Sequence, residues 1–186
     1  MVPPFYDPRI FADATIVAIV ERLLGEDMAM AQYATDTPLS HSVYQAVHAD
    51  VGDLFPEEPT PYPPALIAVN FPFVDVTPQR GPFEVARGTH LLPKEEALAK
   101  INAGDIALEP LFMQAGDVLI RDPRCLHRGS PNRSETPRVV AVIGCQRAWL
   151  QRTVNHDEQP IPREQWDGMS EEERKRLRYF KGLVGE

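Results

Sequence analysis

The sequence predicts a mainly β domain with flanking helices, built as a double-sheet jelly roll. Short apolar runs at residues 65–71, 83–86, 118–120 and 138–145 are separated by turn residues. There are 19 prolines in 186 residues, which favours turns and loops over a helical bundle. Helical periodicity is confined to the two ends and to one stretch in the middle.

The elements follow in order. Residues 1–9 are proline-rich and read as irregular. A helix is expected over 10–24, with Ile16, Ile19, Val20, Leu23 and Leu24 facing the core and Gly25 as its stop. From 28 to 50 the pattern is short and alternating, and 45–50 reads as the end of a strand. Residues 51–64 carry Pro56, Pro59, Pro61, Pro63 and Pro64, so they form a loop, placed as a lid or a substrate-facing wall. Residues 65–71 are a buried strand, and Gly81-Pro82 turns into another at 83–86. Residues 94–102 suit a surface helix ending near Gly104. Gly116-Asp117 turns into a strand at 118–120, Gly129-Ser130-Pro131-Asn132 is turn chemistry, and 138–145 is the strongest strand. Ser170 with Glu173 forms a capping-box pattern, and the charges run acid to base through 170–178, as on a solvated terminal helix. The whole, 1–186, reads as one domain with a helical tail from about residue 155.

The formal net charge is −8, and no basic face is evident, which argues against a nucleic-acid partner. No apolar run is long enough to span a membrane, and the first residues do not show the basic-then-apolar pattern expected of a secretion signal. Cys125 and Cys145 are too few and too far apart for a disulfide scaffold, so a reducing, cytoplasmic setting is expected.

Three features carry chemistry. In His48-Ala49-Asp50 an imidazole and a carboxylate two residues apart share a strand face, which offers two ligands to a divalent metal. His127 follows a strand and precedes a turn. Two histidines and one carboxylate on an octahedral face form the arrangement of non-haem Fe(II) oxygenases, with adjacent positions left open. Arg138 stands at the start of the next strand, and its planar guanidinium suits a carboxylate ligand. Taken singly, each is more often an ordinary surface or structural residue; together they point to a site. His90 is expected in a loop near its mouth, Cys125 as a buried inert thiol, Trp149 and Trp166 as packing residues, and His156-Asp157 in a surface loop.

These residues occur in a recognisable order. His48-Ala49-Asp50 is followed by the run from Gly81 to His90, by Gly116-Asp117-Val118-Leu119-Ile120, by the run from His127 to Ser134, and by Pro137-Arg138. The chain resembles the phytanoyl-CoA dioxygenase family of Fe(II)/2-oxoglutarate oxygenases from about residue 10 to 146. The resemblance implies a double-stranded β-helix of cupin-like form, with Fe(II) held by His48, Asp50 and His127. It implies that Arg138 takes the distal carboxylate of 2-oxoglutarate, that Asn70 or Phe71 lines the cosubstrate pocket, and that Ser130, Asn132 and Ser134 add hydrogen bonds. The implied reaction consumes O2, releases succinate and CO2, and oxidises a C–H bond of a small metabolite, most simply by hydroxylation. Asp50 stands where halogenating relatives carry a small residue.

The family pattern is not matched everywhere. Only 47 residues precede His48, so part of the usual N-terminal helical layer is expected to be missing, which would bare apolar surface and favour a homodimer. Arg80 replaces the usual asparagine before Gly81, and Gln45 lies one step from the position where some members carry glutamine. Two other readings stay open at this level: a cupin-type metal isomerase that needs no 2-oxoglutarate, and a non-catalytic or partly degenerate metal-binding member of the fold.

Overall fold

Asp13 starts the first helix. Its Oδ1 accepts hydrogen bonds from the backbone N–H groups of Thr15 and Ile16, both at 3.0 Å, so α1 runs Ala14–Leu24 and not from residue 10. The computed structural model describes residues 7, 12–55, 57, 62–150 and 161–180. Most of the expected irregular start, Pro56, Pro59 and Pro61 of the loop, and His156-Asp157 lie outside them.

The strands are β1 (Ala29–Asp36), β2 (Leu66–Pro72), β3 (Phe83–Val85), β4 (Glu109–Leu111), β5 (Leu119–Arg121), β6 (His127–Gly129) and β7 (Val140–Gln146). They form one sheet in the order β1-β7-β2-β5 and another in the order β4-β3-β6. Pairing of β2 with β5, and of β3 with both β4 and β6, is antiparallel. This is the mainly β, two-sheet architecture expected. A 3₁₀ turn (Thr89–Leu91) precedes α2 (Lys94–Ala103), which ends on Gly104 at φ 83°, where glycine meets no Cβ penalty. Among the described residues two short helices follow near the C-terminus, α3 (Arg163–Gly168) and α4 (Glu171–Arg176). No helix among the described residues is long and apolar enough to cross a membrane.

The chain divides into two compact units, and β1, β2 and β7 each begin in one and end in the other. The first unit holds residues 1–34, 64–67 and 143–186. In it α1 buries Val17, Val20 and Leu24, while Ile19 and Leu23 are exposed, so the buried stripe is rotated from the one expected. The helix is apolar on nearly every side, and periodicity alone cannot select the stripe that packs. The capping box at Ser170 is present: its Oγ accepts from Glu173 N–H, and the Glu173 carboxylate accepts from Ser170 N–H. The tail is docked rather than solvated. Leu177 and Phe180 are fully buried, Arg176 pairs with Glu21 at 3.3 Å, and Arg178 donates to the Asp27 carbonyl at 2.6 Å. Trp149, expected to pack, is exposed. Burial pushes the Cys145 thiol up to about 12.

The second unit holds residues 35–63 and 68–142, and with them every residue of the expected site. Ala86, Ala97 and Leu126 form a buried cluster to which Val47, Ala49, Leu92, Leu98 and Ile101 add their side chains. Residues 45–50 are not a continuous strand. Their backbone is held to β6 by an isolated bridge at His48 and by Gln45 N–H to the Gly129 carbonyl at 3.0 Å. The loop after them is tied at its far end. Both Nη atoms of Arg124 donate to the Tyr62 carbonyl at 3.2 Å, and the guanidinium lies 4.6 Å from the centre of the Tyr62 ring.

Candidate active site

Val47 and Ala49 pack into the Ala86–Leu126 cluster, and the residues that alternate with them are His48 and Asp50. A period of two therefore turns the imidazole and the carboxylate away from the core together. His48 is bridged directly to His127: each donates its N–H to the other's carbonyl, both at 2.9 Å. Residues opposed in this way carry side chains on one face, and the two ring centroids are 4.4 Å apart. On the other side of β6, His127 is in register with Val85, and Phe83, two residues earlier, puts its ring 4.7 Å from the His127 ring.

One ligand atom from each of His48, Asp50 and His127 lies within 4.8 Å of the others. Asp50 Oδ1 is 3.3 Å from His127 Nε2 and 3.7 Å from His48 Nε2. Both Nδ1 atoms are 2.8 Å from backbone carbonyls, His48 from Ala46 and His127 from Cys125. A carbonyl only accepts, so each Nδ1 carries a hydrogen and each Nε2 is left to face the centre. Histidine ligands to metals are oriented in this way. Burial raises the Asp50 carboxyl, but a hydrogen bond from His127 and the Arg121 charge outweigh it and hold the group well below the usual carboxylate range. Two imidazole nitrogens and a carboxylate oxygen crowded together need a cation among them, a proton on one ring or a metal ion. This donor set fits a divalent transition metal. His127 is buried, whereas His48 and Asp50 are partly open to solvent, which gives the cluster an access side.

Arg121 was not among the residues that sequence reasoning selected. From β5, opposite Ala68, its Nη2 donates to Asp50 Oδ2 at 2.6 Å and its Nε to Asn70 Oδ1 at 3.2 Å. Its Cζ lies 5.1 Å from the Phe83 ring centre. The available signal was a cation at the end of an apolar strand, which demands a partner.

Arg138 is buried just before β7. Its Nε donates to the Gly81 carbonyl at 3.2 Å and its Nη1 to Asp36 Oδ2 at 3.0 Å, while Nη2 is buried with no hydrogen-bond partner. It therefore has an acid partner, Asp36, which sequence distance concealed. Asn70 is buried and engaged with Arg121. Ser130 and Asn132, expected to reach the cosubstrate, have their side chains committed to the protein. Ser130 Oγ donates to the Pro82 carbonyl at 2.7 Å. Asn132 Nδ2 donates to the Pro38 and Thr136 carbonyls, and its Oδ1 accepts from Ser134 N–H and Oγ. Those bonds fix the turn against Gly81. Cys125 is buried with its thiol donating to the Ala86 carbonyl at 3.2 Å, an inert position.

The family profile described as Phytanoyl-CoA dioxygenase matches residues 7–140. The chain belongs to the phytanoyl-CoA dioxygenase family. Solved structures share its fold. EctD from S. alaskensis with bound Fe is 23% identical, with TM-score 0.61 over 78% of this chain and 53% of that one. The non-heme alpha ketoglutarate dependent epimerase SnoN from nogalamycin biosynthesis is 22% identical, with TM-score 0.59 over 75% of this chain and 55% of that one. The non-heme monooxygenase ThoJ, as a Ni complex, is 22% identical, with TM-score 0.60 over 78% and 55%. This chain thus spans little more than half the length of these family-fold enzymes.

Proposed function

We propose that the protein is an Fe(II)- and 2-oxoglutarate-dependent dioxygenase that oxidises a C–H bond of a small-molecule metabolite, by hydroxylation, with release of succinate and CO2. The observation that carries this reading is the convergence of His48 Nε2, His127 Nε2 and Asp50 Oδ1 with both rings fixed through Nδ1. The bound forms of EctD, one with Fe and one with 2-oxoglutarate and 5-hydroxyectoine, support it by analogy of fold.

His48, Asp50 and His127 would hold Fe(II), which supplies activation of O2 coupled to decarboxylation of the keto acid. Holding the cluster ready is the protein's main contribution, because preformed ligands need no reorganisation when the ion arrives. Arg138 would receive the distal carboxylate of 2-oxoglutarate. Its buried Nη2 has no partner, and a buried donor without an acceptor costs free energy until one is supplied. Gly81 and Asp36 aim the guanidinium, and the turn of Ser130 and Asn132 supports Gly81. Asn70 would serve the cosubstrate end by steadying Arg121. Which outcome follows C–H oxidation depends on substrate placement, and enzymes of this fold include an epimerase as well as a monooxygenase.

The test is a succinate and O2-uptake assay with Fe(II), 2-oxoglutarate and a panel of small metabolites. Keto-acid-dependent succinate formation that is lost in Asp50→Ala is expected. Turnover without keto acid or O2 would instead select the metal isomerase.

A further inference from the structure

Asp50 presents its two oxygens to different partners. Oδ1 faces both imidazoles, at 3.3 and 3.7 Å, whereas Oδ2 accepts a 2.6 Å charge-assisted bond from Arg121. Arg121 is not a loose surface cation. Its side chain is 12% exposed, its Nε is bonded to Asn70 Oδ1, and its plane is covered by Phe83, whose ring also lies against His127. Strand register places Asn70 and Arg121 on one face, because Arg121 opposes Ala68 and Asn70 is two residues further on. The guanidinium is thus held through Nε, Nη2 and its plane, while Nη1 is buried with no hydrogen-bond partner.

Burying such a pair contributes little to net stability, since desolvation offsets the attraction. Its effect lies in orientation. We infer that Arg121 is a positioning residue that limits Asp50 to ligation through the single oxygen Oδ1. The inference rests on the proposed iron site. An octahedral ion held by three protein atoms keeps three open positions, and a second oxygen from Asp50 would take one of them. A keto acid that chelates through two atoms, together with O2, needs all three. Through Asp50, Arg121 therefore guards the position that the cosubstrate takes. A role confined to assembling the cluster would show itself in metal affinity; this role shows itself in the affinity for the keto acid.

The experiment measures two dissociation constants anaerobically on the full chain: Fe(II) for the protein, then 2-oxoglutarate for the Fe(II) form, read from its visible charge-transfer band. In Arg121→Met, Fe(II) should bind as tightly as in the parent protein or more tightly, because Asp50 can now use both oxygens. Affinity for 2-oxoglutarate should fall by about 10-fold or more, a loss of about 1.4 kcal/mol or more, because the second oxygen of Asp50 would take a position that the keto acid needs. Arg121→Lys keeps a cationic donor, is the milder change should the methionine variant fail to fold, and should lose less. Unchanged 2-oxoglutarate affinity in a folded Arg121→Met or Arg121→Lys protein would overturn the inference. So would a parallel loss of Fe(II) affinity, which would make Arg121 a builder of the cluster. If the parent protein itself bound no Fe(II), the proposed function would fail, an outcome distinct from either of these.

Discussion

Arg138 and Arg121 each bury a guanidinium against an aspartate in the same compact unit, yet the two aspartates differ in what else they face. Asp36 is 46% exposed and Asp50 is 38% exposed, and each guanidinium keeps one buried Nη without a hydrogen-bond partner, Nη2 of Arg138 and Nη1 of Arg121. Asp50 is committed on both sides, to Arg121 through Oδ2 and to the imidazoles through Oδ1. The same cation therefore serves as a receptor in one place and as a clamp in the other. What decides between them is whether the carboxylate has remaining work.

That contrast orders the expected effects. Asp50→Ala removes the shared carboxylate, and Fe(II) binding should be lost in an anaerobic titration. Arg138→Ala should leave Fe(II) binding intact and weaken 2-oxoglutarate by roughly 30-fold or more, the scale of removing one member of a buried charged hydrogen-bond pair. Equal weakening of both ligands would show that Arg138 supports the cluster instead. Gly81→Ala acts on the same arm from a distance. Gly81 has φ 67°, and an added Cβ would lie 2.6 Å from the Ser130 carbonyl oxygen. Chemical denaturation should show a loss of about 2–4 kcal/mol, from overpacking and backbone strain together. Because the Gly81 carbonyl orients Arg138, 2-oxoglutarate affinity should fall while Fe(II) affinity holds.

The depressed Asp50 carboxyl gives a pH signature. A group whose folded value lies below its unfolded one contributes stability above the unfolded value, near pH ~4, and loses it as pH falls through the folded value. Denaturation of the metal-free protein and of Asp50→Asn should therefore differ above about pH 4, and the difference should shrink progressively as pH falls below it toward the depressed folded value. A constant difference across that window would contradict the contacts that His127 and Arg121 make with Asp50. The smallest effect belongs to the other unit: Ser170→Ala removes the capping box and should cost about 1 kcal/mol, with both ligand affinities unchanged.

How these two arginines come to light differs for a physical reason. Arg138, like His48, Asp50 and His127, sits in local motifs whose order along the chain is readable. Arg121 gains its role only from Asn70, 51 residues earlier, and Asp50, 71 residues earlier, which strand pairing brings together. Local pattern also found the capping box at Ser170 and the strand at β7. It misjudged the buried stripe of α1, because that helix offers apolar residues on most sides. It read the tail as solvated because the charges of α4 outnumber the two anchors, Leu177 and Phe180, that follow them. It read 45–50 as a strand end, where pairing narrows to a bridge at His48, yet the alternation it relied on survives and places the ligands.

One titration bears on the whole account: Fe(II) added without oxygen to the purified chain, followed by 2-oxoglutarate, with the visible spectrum recorded throughout. The account predicts one Fe(II) per chain and a charge-transfer band that grows as the keto acid chelates, absent in His127→Ala. A chain that takes up no Fe(II), or that takes it up and shows no band at saturating keto acid, would contradict it.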